Sequence, residues 1–268
     1  MTPSVEQLCY IDAYRRSVEA RIAIVETGET TTLVLDRTVF YPGGGGQPSD
    51  RGLVIRAADG RSWTVRGAHR VVGEIVHELE PDEGDPPVVG DVVQVDLDWA
   101  RRLALMRTHT ALHALCGVVW RDHGASVTGG NMEPGSGRMD FEFERMSGDL
   151  VDAIEATVNA ELAAAREVRV AVLPRAEAFA IPDLIRTKVN LLPPGIEEIR
   201  TVEIVGLDLQ ADGGTHVANT REVGGVRVIG YESKGRINKR IRIALVDPAP
   251  GIATTRPRPL SGPRAGQI

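Results

Sequence analysis

The chain has 268 residues, 42% of them hydrophobic and 25% charged, the balance of a soluble globular protein with one large domain or two modest ones. A formal net charge of -6 argues against a DNA-coating protein, although a local basic patch can still meet phosphates within an acidic molecule. No apolar run approaches the roughly 20 residues of a bilayer-crossing helix, MTPSVEQLCYID lacks signal-peptide order, and Cys9 and Cys116 make no disulfide framework; no membrane partner and a cytoplasmic location are expected.

From about residue 15 to residue 97, short β-branched runs (ARIAIVE, TTLVLD, GLVIRA, SWTVRG, VVQVDLD) alternate with Gly, Asp and Pro turns. That texture predicts an all-β unit closed as a small barrel, an N-terminal domain over residues 1–97, with the Pro-rich stretch Glu80 to Pro87 as a loop near its end. At Asp98 the period changes. Asp98 is an expected N-cap, and Leu103, Met106, Ala111, Leu115 and Val119 recur at helical intervals until the Gly124 stop, predicting one helix over 99–122. A second helix is expected after Ser147, running through IEATVNAELAAAREV, followed by strands in RVAVL, EEIRTVEIV, VRVIGYES and IRIALV. Residues 98–247 therefore read as an α+β domain, and 248–268, rich in Pro and Arg with little to bury, as a disordered tail.

Two pairs of metal-capable side chains stand about a hundred positions apart, each pair separated by three residues: His109 and His113 in MRTHTALHALC, Asp212 and His216 in QADGGTHVANT. On a helix, His109 and His113 project from one face a turn apart, so both imidazoles can meet one cation. Gly213 and Gly214 oppose a helix in the second segment, which instead predicts a tight turn carrying two ligands back toward one point. Three imidazoles and a carboxylate suit zinc, and also iron or manganese, so another divalent ion stays open. Thr110 stands where a metallopeptidase would carry its general-base Glu, which excludes that chemistry. Cys116, three residues after His113, is either a thiolate donor or a small buried apolar residue.

The segment FYPGGGGQPSDRG holds four successive glycines, Gly43, Gly44, Gly45 and Gly46. No Gly-Lys-Ser/Thr follows and no helix opens, so a nucleotide loop is excluded, and the choice lies between a hairpin tip and a backbone that approaches a ligand closely.

FYPGGGGQPSDRG, HTALH, GGNMEPGSGRMDFEF, LDLQADGGTHV and KGRINKRIRIAL together resemble, in order and separation, the freestanding alanyl-tRNA editing proteins, relatives of the editing domain of alanyl-tRNA synthetase. The likeness covers residues 15 to 246. It implies a trans-editing hydrolase that cleaves serine, and glycine second, from mischarged alanine tRNA, on a translation-factor-like barrel joined to an α+β editing domain. The family's metal ligands fall on His109, His113 and His216, with Asp212 where the family motif usually has Cys. The resemblance places Thr128, in VTGG, at a position used to recognise the serine hydroxyl, and Gln47 with the glycine-loop amides are candidates to orient water or stabilise the oxyanion. Lys234, Arg236, Lys239, Arg240 and Arg242 can meet tRNA phosphates, with Arg256, Arg258 and Arg264 adding contacts from the tail; the alternative is a solvated charged face. Two other readings of the whole chain remain: a tRNA-binding module with a structural metal and no hydrolysis, and a redox metalloenzyme, for which no cofactor motif is present.

Overall fold

The computed structural model describes residues 5–82, 84–187, 192 and 195–247; the tail expected over 248–268 lies outside them. Six strands build a barrel in the first part of the chain: β1 (Ser17–Glu26), β2 (Thr32–Leu35), β3 (Gly52–Arg56), β4 (Ser62–Val71), β5 (Glu74–Leu79) and β6 (Val92–Leu97). They close in the order β1-β2-β5-β4-β3-β6, every neighbour antiparallel, so the expected barrel leaves no free edge among these strands. Period-two alternation does the work. In β1, Val18, Ala20 and Ile22 point into the barrel while Ser17, Glu19 and Arg21 face out, and Leu33, Leu35, Val54, Val65, Ile75, Val93 and Val95 complete the aliphatic core.

The chain passes from β6 directly into α1 (Trp99–His123). The Asp98 carboxylate accepts the Arg101 N–H at 3.0 Å, and Gly124, left-handed at φ 60°, ends the helix, so both expected signals operate. Its burial departs from the amphipathic pattern. Every side chain from Thr108 to Val119 is buried, because α1 lies at the centre of the second unit. Around it stand the hairpin β7 (Val127–Glu133) and β8 (Ser136–Glu142), α2 (Gly148–Ala163), β9 (Val168–Pro174), the short α3 (Arg175–Ala180), β10 (Glu198–Ile204), β11 (Asp208–Ala211), β12 (Gly225–Ser233) and β13 (Asn238–Val246). They form two antiparallel sheets, β12-β13-β8-β7 and β9-β10-β11. Barrel and helical sheets together make the α+β fold expected.

Two local differences from the sequence reading have physical causes. α2 stops at Ala163 rather than continuing toward Val168, because Ala165 adopts φ 55° and turns the chain into β9. Its buried Val151, Ile154, Val158 and Leu162 sit at helical spacing on one face, and Ser147 caps it by accepting the Leu150 N–H. The β7–β8 hairpin was not among the expected strands, since VTGGNME carries two glycines and no alternating apolar set.

The barrel is tied to α1 by a buried ion pair. Arg102 Nε donates to both Asp50 carboxylate oxygens at 3.0 Å, while Nη1 and Nη2 reach the carbonyls of Ala13 at 2.9 Å and Val39 at 2.7 Å. Asp50 also accepts the Tyr41 N–H at 2.6 Å, so the base of the glycine loop is clamped two helical turns before His109. Saturation of donors and acceptors makes a buried pair of this kind tolerable.

Candidate metal centre

His109 and His113 share one face of α1, as their spacing dictates, and the turn after β11 carries Asp212 and His216 up to that face. One ligand atom from each of the four lies within 4.8 Å of those of the others. The imidazole centroids are 5.1 Å apart for His109 and His113, 4.3 Å for His109 and His216, and 4.6 Å for His113 and His216.

Each ring is held from behind at Nδ1. His109 Nδ1 lies 2.9 Å from Gln47 Oε1, and the Thr215 N–H donates to that same oxygen at 3.0 Å, which fixes the amide's orientation. Gln47 Nε2 donates to Thr215 Oγ1 at 2.8 Å. His113 Nδ1 donates to Asp208 Oδ2 at 3.1 Å, and His216 Nδ1 lies 3.2 Å from Thr110 Oγ1. That arrangement turns three Nε2 atoms toward one point, the pattern of outer partners that orients metal-bound histidines. Asp212 completes the set: its Oδ2 accepts the Gly214 N–H at 2.7 Å and lies 3.0 Å from His216 Nε2, while Oδ1 faces His109 Nε2 at 3.6 Å.

Protonation agrees with ligation at His109, His216 and Asp212, whereas at His113 ligation must displace the proton that Asp208 favours. Burial, reinforced by the neighbouring histidines, holds His109 well below the ordinary imidazole range, and burial pushes His216 down to about 4. Burial also works against a His113 cation, but the Asp208 hydrogen bond and charge outweigh it and raise its pKa. For Asp212, burial opposes ionisation, and His109 together with the His216 hydrogen bond outweighs it, holding the carboxyl well below its usual value. Ionised carboxylate and neutral imidazole are the forms a divalent cation takes, and the donor set fits zinc. Cys116 stands outside the group; burial raises its thiol well above the normal value, as in a small apolar core residue.

His109, His113 and Asp212 border a cavity of about 1210 Å³ whose wall includes Leu112, Met132, Met139 and Ile199. Thr128 is on that wall, exposed, its hydroxyl donating to Asn238 Oδ1 at 2.8 Å. Gly45 and Gly46 line the cavity too, at φ 58° and 89° in a two-residue turn closed by reciprocal Gly44–Gln47 backbone bonds of 3.0 and 2.9 Å. The Met132 N–H donates to Gly46 O at 3.2 Å, docking the loop on β7, so the glycines approach the site by backbone. Gly214 is required by a different contact: a Cβ there would stand 2.2 Å from His109 Cε1.

The basic cluster divides. Lys234 and Arg236 are exposed, but Lys239 is buried with Nζ on the carbonyls of Gly235 and Arg236, and Arg240 is committed to Asp140 at 2.7 and 2.8 Å. Arg242 pairs with Glu232 at 2.6 Å. Asp208, Thr215 and the cavity-lining Arg186 and Arg200 were not singled out from sequence; no local pattern marks them, since their partners lie on other elements. Among the described residues, no helix is long and apolar enough to cross a membrane.

Comparison with known proteins places the two halves in one context. Residues 7–101 match a family model described as tRNA synthetases class II (A), and residues 199–242 match the threonyl and alanyl tRNA synthetase second additional domain. A protein of Methanosarcina barkeri named alanyl-tRNA editing protein AlaX-M is 36% identical over 243 residues, covering 90% of this chain and 99% of that relative. One of the same name from Saccharolobus solfataricus is 35% identical over 238 residues, 88% of this chain and 97% of the relative. An alanine–tRNA ligase of Saccharolobus islandicus is 34% identical over 233 residues, which is 85% of this chain but 25% of the ligase. With more than a third of residues identical along nearly the whole of a freestanding relative, the chain belongs to the alanyl-tRNA editing protein family.

Proposed function

We propose that this protein is a trans-editing deacylase that hydrolyses the ester joining a wrong amino acid, serine first and glycine second, to the terminal adenosine of alanine tRNA. His109, His113, Asp212 and His216 would hold one divalent metal, zinc before any other. The observation that carries the reading is the convergence of these four donors, with His109, His113 and Asp212 on the wall of a large cavity and an outer partner behind each imidazole. A purely structural metal in a tRNA-binding module would sit in a closed site, and this one opens onto space a substrate can fill.

When bound, the metal would supply Lewis acidity toward the ester carbonyl or a more acidic water. The chain's residues do the rest. Asp208 and the Gln47 amide hold the Nδ1 protons of His113 and His109, so those rings keep one tautomer and one orientation. Gln47 thereby acts through His109, and the Gly45 and Gly46 backbone shapes the cavity beside it. Leu112, Met132 and Met139 exclude bulk water from the acyl group, which strengthens electrostatic interactions there. Thr128, whose proton goes to Asn238, keeps its lone pairs for the serine hydroxyl. A site that hydrogen-bonds that hydroxyl discriminates against alanine, which would leave the Thr128 oxygen without that partner. Arg236 and Lys234, the latter 3.5 Å from Glu232, are the exposed cations of this cluster that can meet tRNA phosphates, setting affinity more than identity.

Deacylation of seryl-, glycyl- and alanyl-tRNA(Ala) by one sample, with elemental analysis of the same sample, tests this. Hydrolysis of the seryl ester with alanyl-tRNA(Ala) spared is expected. Equal rates on both would remove the specificity, and turnover in a metal-free preparation would remove the metal's role.

A further inference from the structure

Arg200 lies on β10 in the cavity wall, its side chain 12% exposed. It is clasped to a metal ligand in both directions: the Asp212 N–H donates to Arg200 O at 3.1 Å, and Arg200 Nη1 donates to Asp212 O at 2.9 Å. Nη1 is also 3.8 Å from Asp212 Oδ2. That single side-chain hydrogen bond is the only one its guanidinium makes among the described residues, and Nε is buried without an acceptor. Arg102 shows what a structural arginine looks like in this fold, with all three nitrogens bonded to Asp50 and two carbonyls. Arg186, the other cavity arginine, also has buried nitrogens without a hydrogen-bond partner, Nε and Nη1, but its charge faces Asp208 at 3.6 Å, which is not one of the four metal-capable donors, and it stacks on Trp120 at 4.7 Å.

Arg200 differs in what faces it: its carboxylate neighbour, Asp212 Oδ2 at 3.8 Å, belongs to the metal-ligand group. The Asp212 carboxylate is already engaged by Gly214 N–H and His216 and would be neutralised further by a divalent cation. The remaining neighbours are Tyr10, whose ring centroid is 5.7 Å from Cζ, and the weakly acidic Tyr41 and Cys9. A buried cation with unfilled donors is costly unless a ligand completes it. With the metal present, the site carries excess positive charge before substrate enters.

We propose that Arg200 is a catalytic residue of the deacylation, its guanidinium receiving the negative charge that builds on the ester oxygen as water adds. The clasp to Asp212 favours the ester over the nearest phosphodiester, which is several bonds away from the reacting carbon. Water oxygen bonds to the carbonyl carbon, the bond from that carbon to the ribose oxygen breaks, and one water proton passes to the ribose oxygen. The other goes to solvent as the released acid ionises. Charge that appears only as water adds is stabilised by preorganised donors at no reorganisation cost.

The inference rests on the deacylase reading, and its test separates the two. Two unreactive seryl-adenosine analogues are titrated calorimetrically into metal-loaded wild type, R200M and R200K: a neutral planar amide and an anionic tetrahedral phosphonate. Wild type should prefer the phosphonate, R200M should lose about a hundredfold in phosphonate affinity, and amide affinity should stay within about threefold, the split expected for a group that meets developing charge. R200K keeps the charge and guards against a misfolded methionine variant; it should bind metal normally and lose at least about tenfold toward the phosphonate. Turnover of seryl-tRNA(Ala) by R200M should fall about 10² to 10³-fold in kcat with KM little changed. No phosphonate preference in wild type, or equal losses for both analogues in the folded variants, overturns the role. Wild type that binds the phosphonate through Arg200 but hydrolyses no charged tRNA would sink the deacylase reading and leave the anion site standing.

Discussion

Replacing Gly214 by alanine should dismantle the metal centre, whereas the same change at Gly213 should do nothing. An added methyl at 214 would lie 2.2 Å from His109 Cε1, 2.3 Å from His109 Nδ1 and 2.8 Å from Gln47 Oε1, and at 213 it would meet no atom within 4 Å. Neither glycine has a positive φ, so the backbone itself tolerates alanine at both. Non-bonded carbons settle near 3.5 Å, so the imidazole must retreat by about 1.3 Å, more than half of a roughly 2.0 Å zinc–nitrogen bond. The retreat is blocked by Gln47, which Thr215 holds at both ends of its amide. Overpacking of this kind costs about 1–3 kcal/mol, and losing the partner behind a metal-bound histidine alone weakens metal affinity about 10 to 100-fold. The assay is competitive titration of zinc against a chelator for wild type, G213A and G214A, with thermal melts of each. G214A should lose at least tenfold in affinity and G213A less than threefold; equal affinities for the two variants would refute the packing argument and with it the placement of the turn against His109.

H109A should lose metal and deacylation together, measured by elemental analysis and turnover, since His109 is one of four donors. D208N keeps the shape of the partner behind His113 but removes its charge and should weaken zinc binding about 10 to 100-fold in the same titration; unchanged affinity would show that the 3.1 Å contact does not support the ligand. R102M strands the buried Asp50 carboxylate and should cost about 3–5 kcal/mol in denaturant unfolding, with R102M/D50L recovering much of it; a single variant as stable as wild type would refute the clamp. His77, buried in the barrel between Thr38 Oγ1 and Leu33 O, is pushed by burial to about 4 from 6.5. The unfolded chain then binds this proton first, so stability present above pH 6.5 declines as pH falls toward 4, by about 3 kcal/mol at completion. In H77N this part of the acid slope should flatten, read from denaturant midpoints between pH 7.5 and 4.

What the sequence made legible is what depends on short-range periodicity. The Asp98 cap, the Gly124 stop and the four-residue spacing of His109 and His113 are rules of one helix, and α1 obeys them. The barrel strands follow from alternation, because each buries one face only. Where burial is two-sided the signal fails: α1 hides Thr108, Thr110 and both histidines in the core, each with a polar partner from another segment, so its apolar stripe was narrower than its buried surface. Lys239 shows the converse. A charge count puts it with Lys234 and Arg236 on the surface, but strand parity puts it on the face of Ile241 and Ile243, and the structure buries it there with Nζ capping two carbonyls. Arg200 is different in kind, since it alternates with Ile199 as a strand residue should and nothing nearby in sequence distinguishes it. Only the turn that brings Asp212 back across β10 gives that guanidinium a metal ligand for a neighbour and leaves its other donors facing a site where a negative charge would complete them.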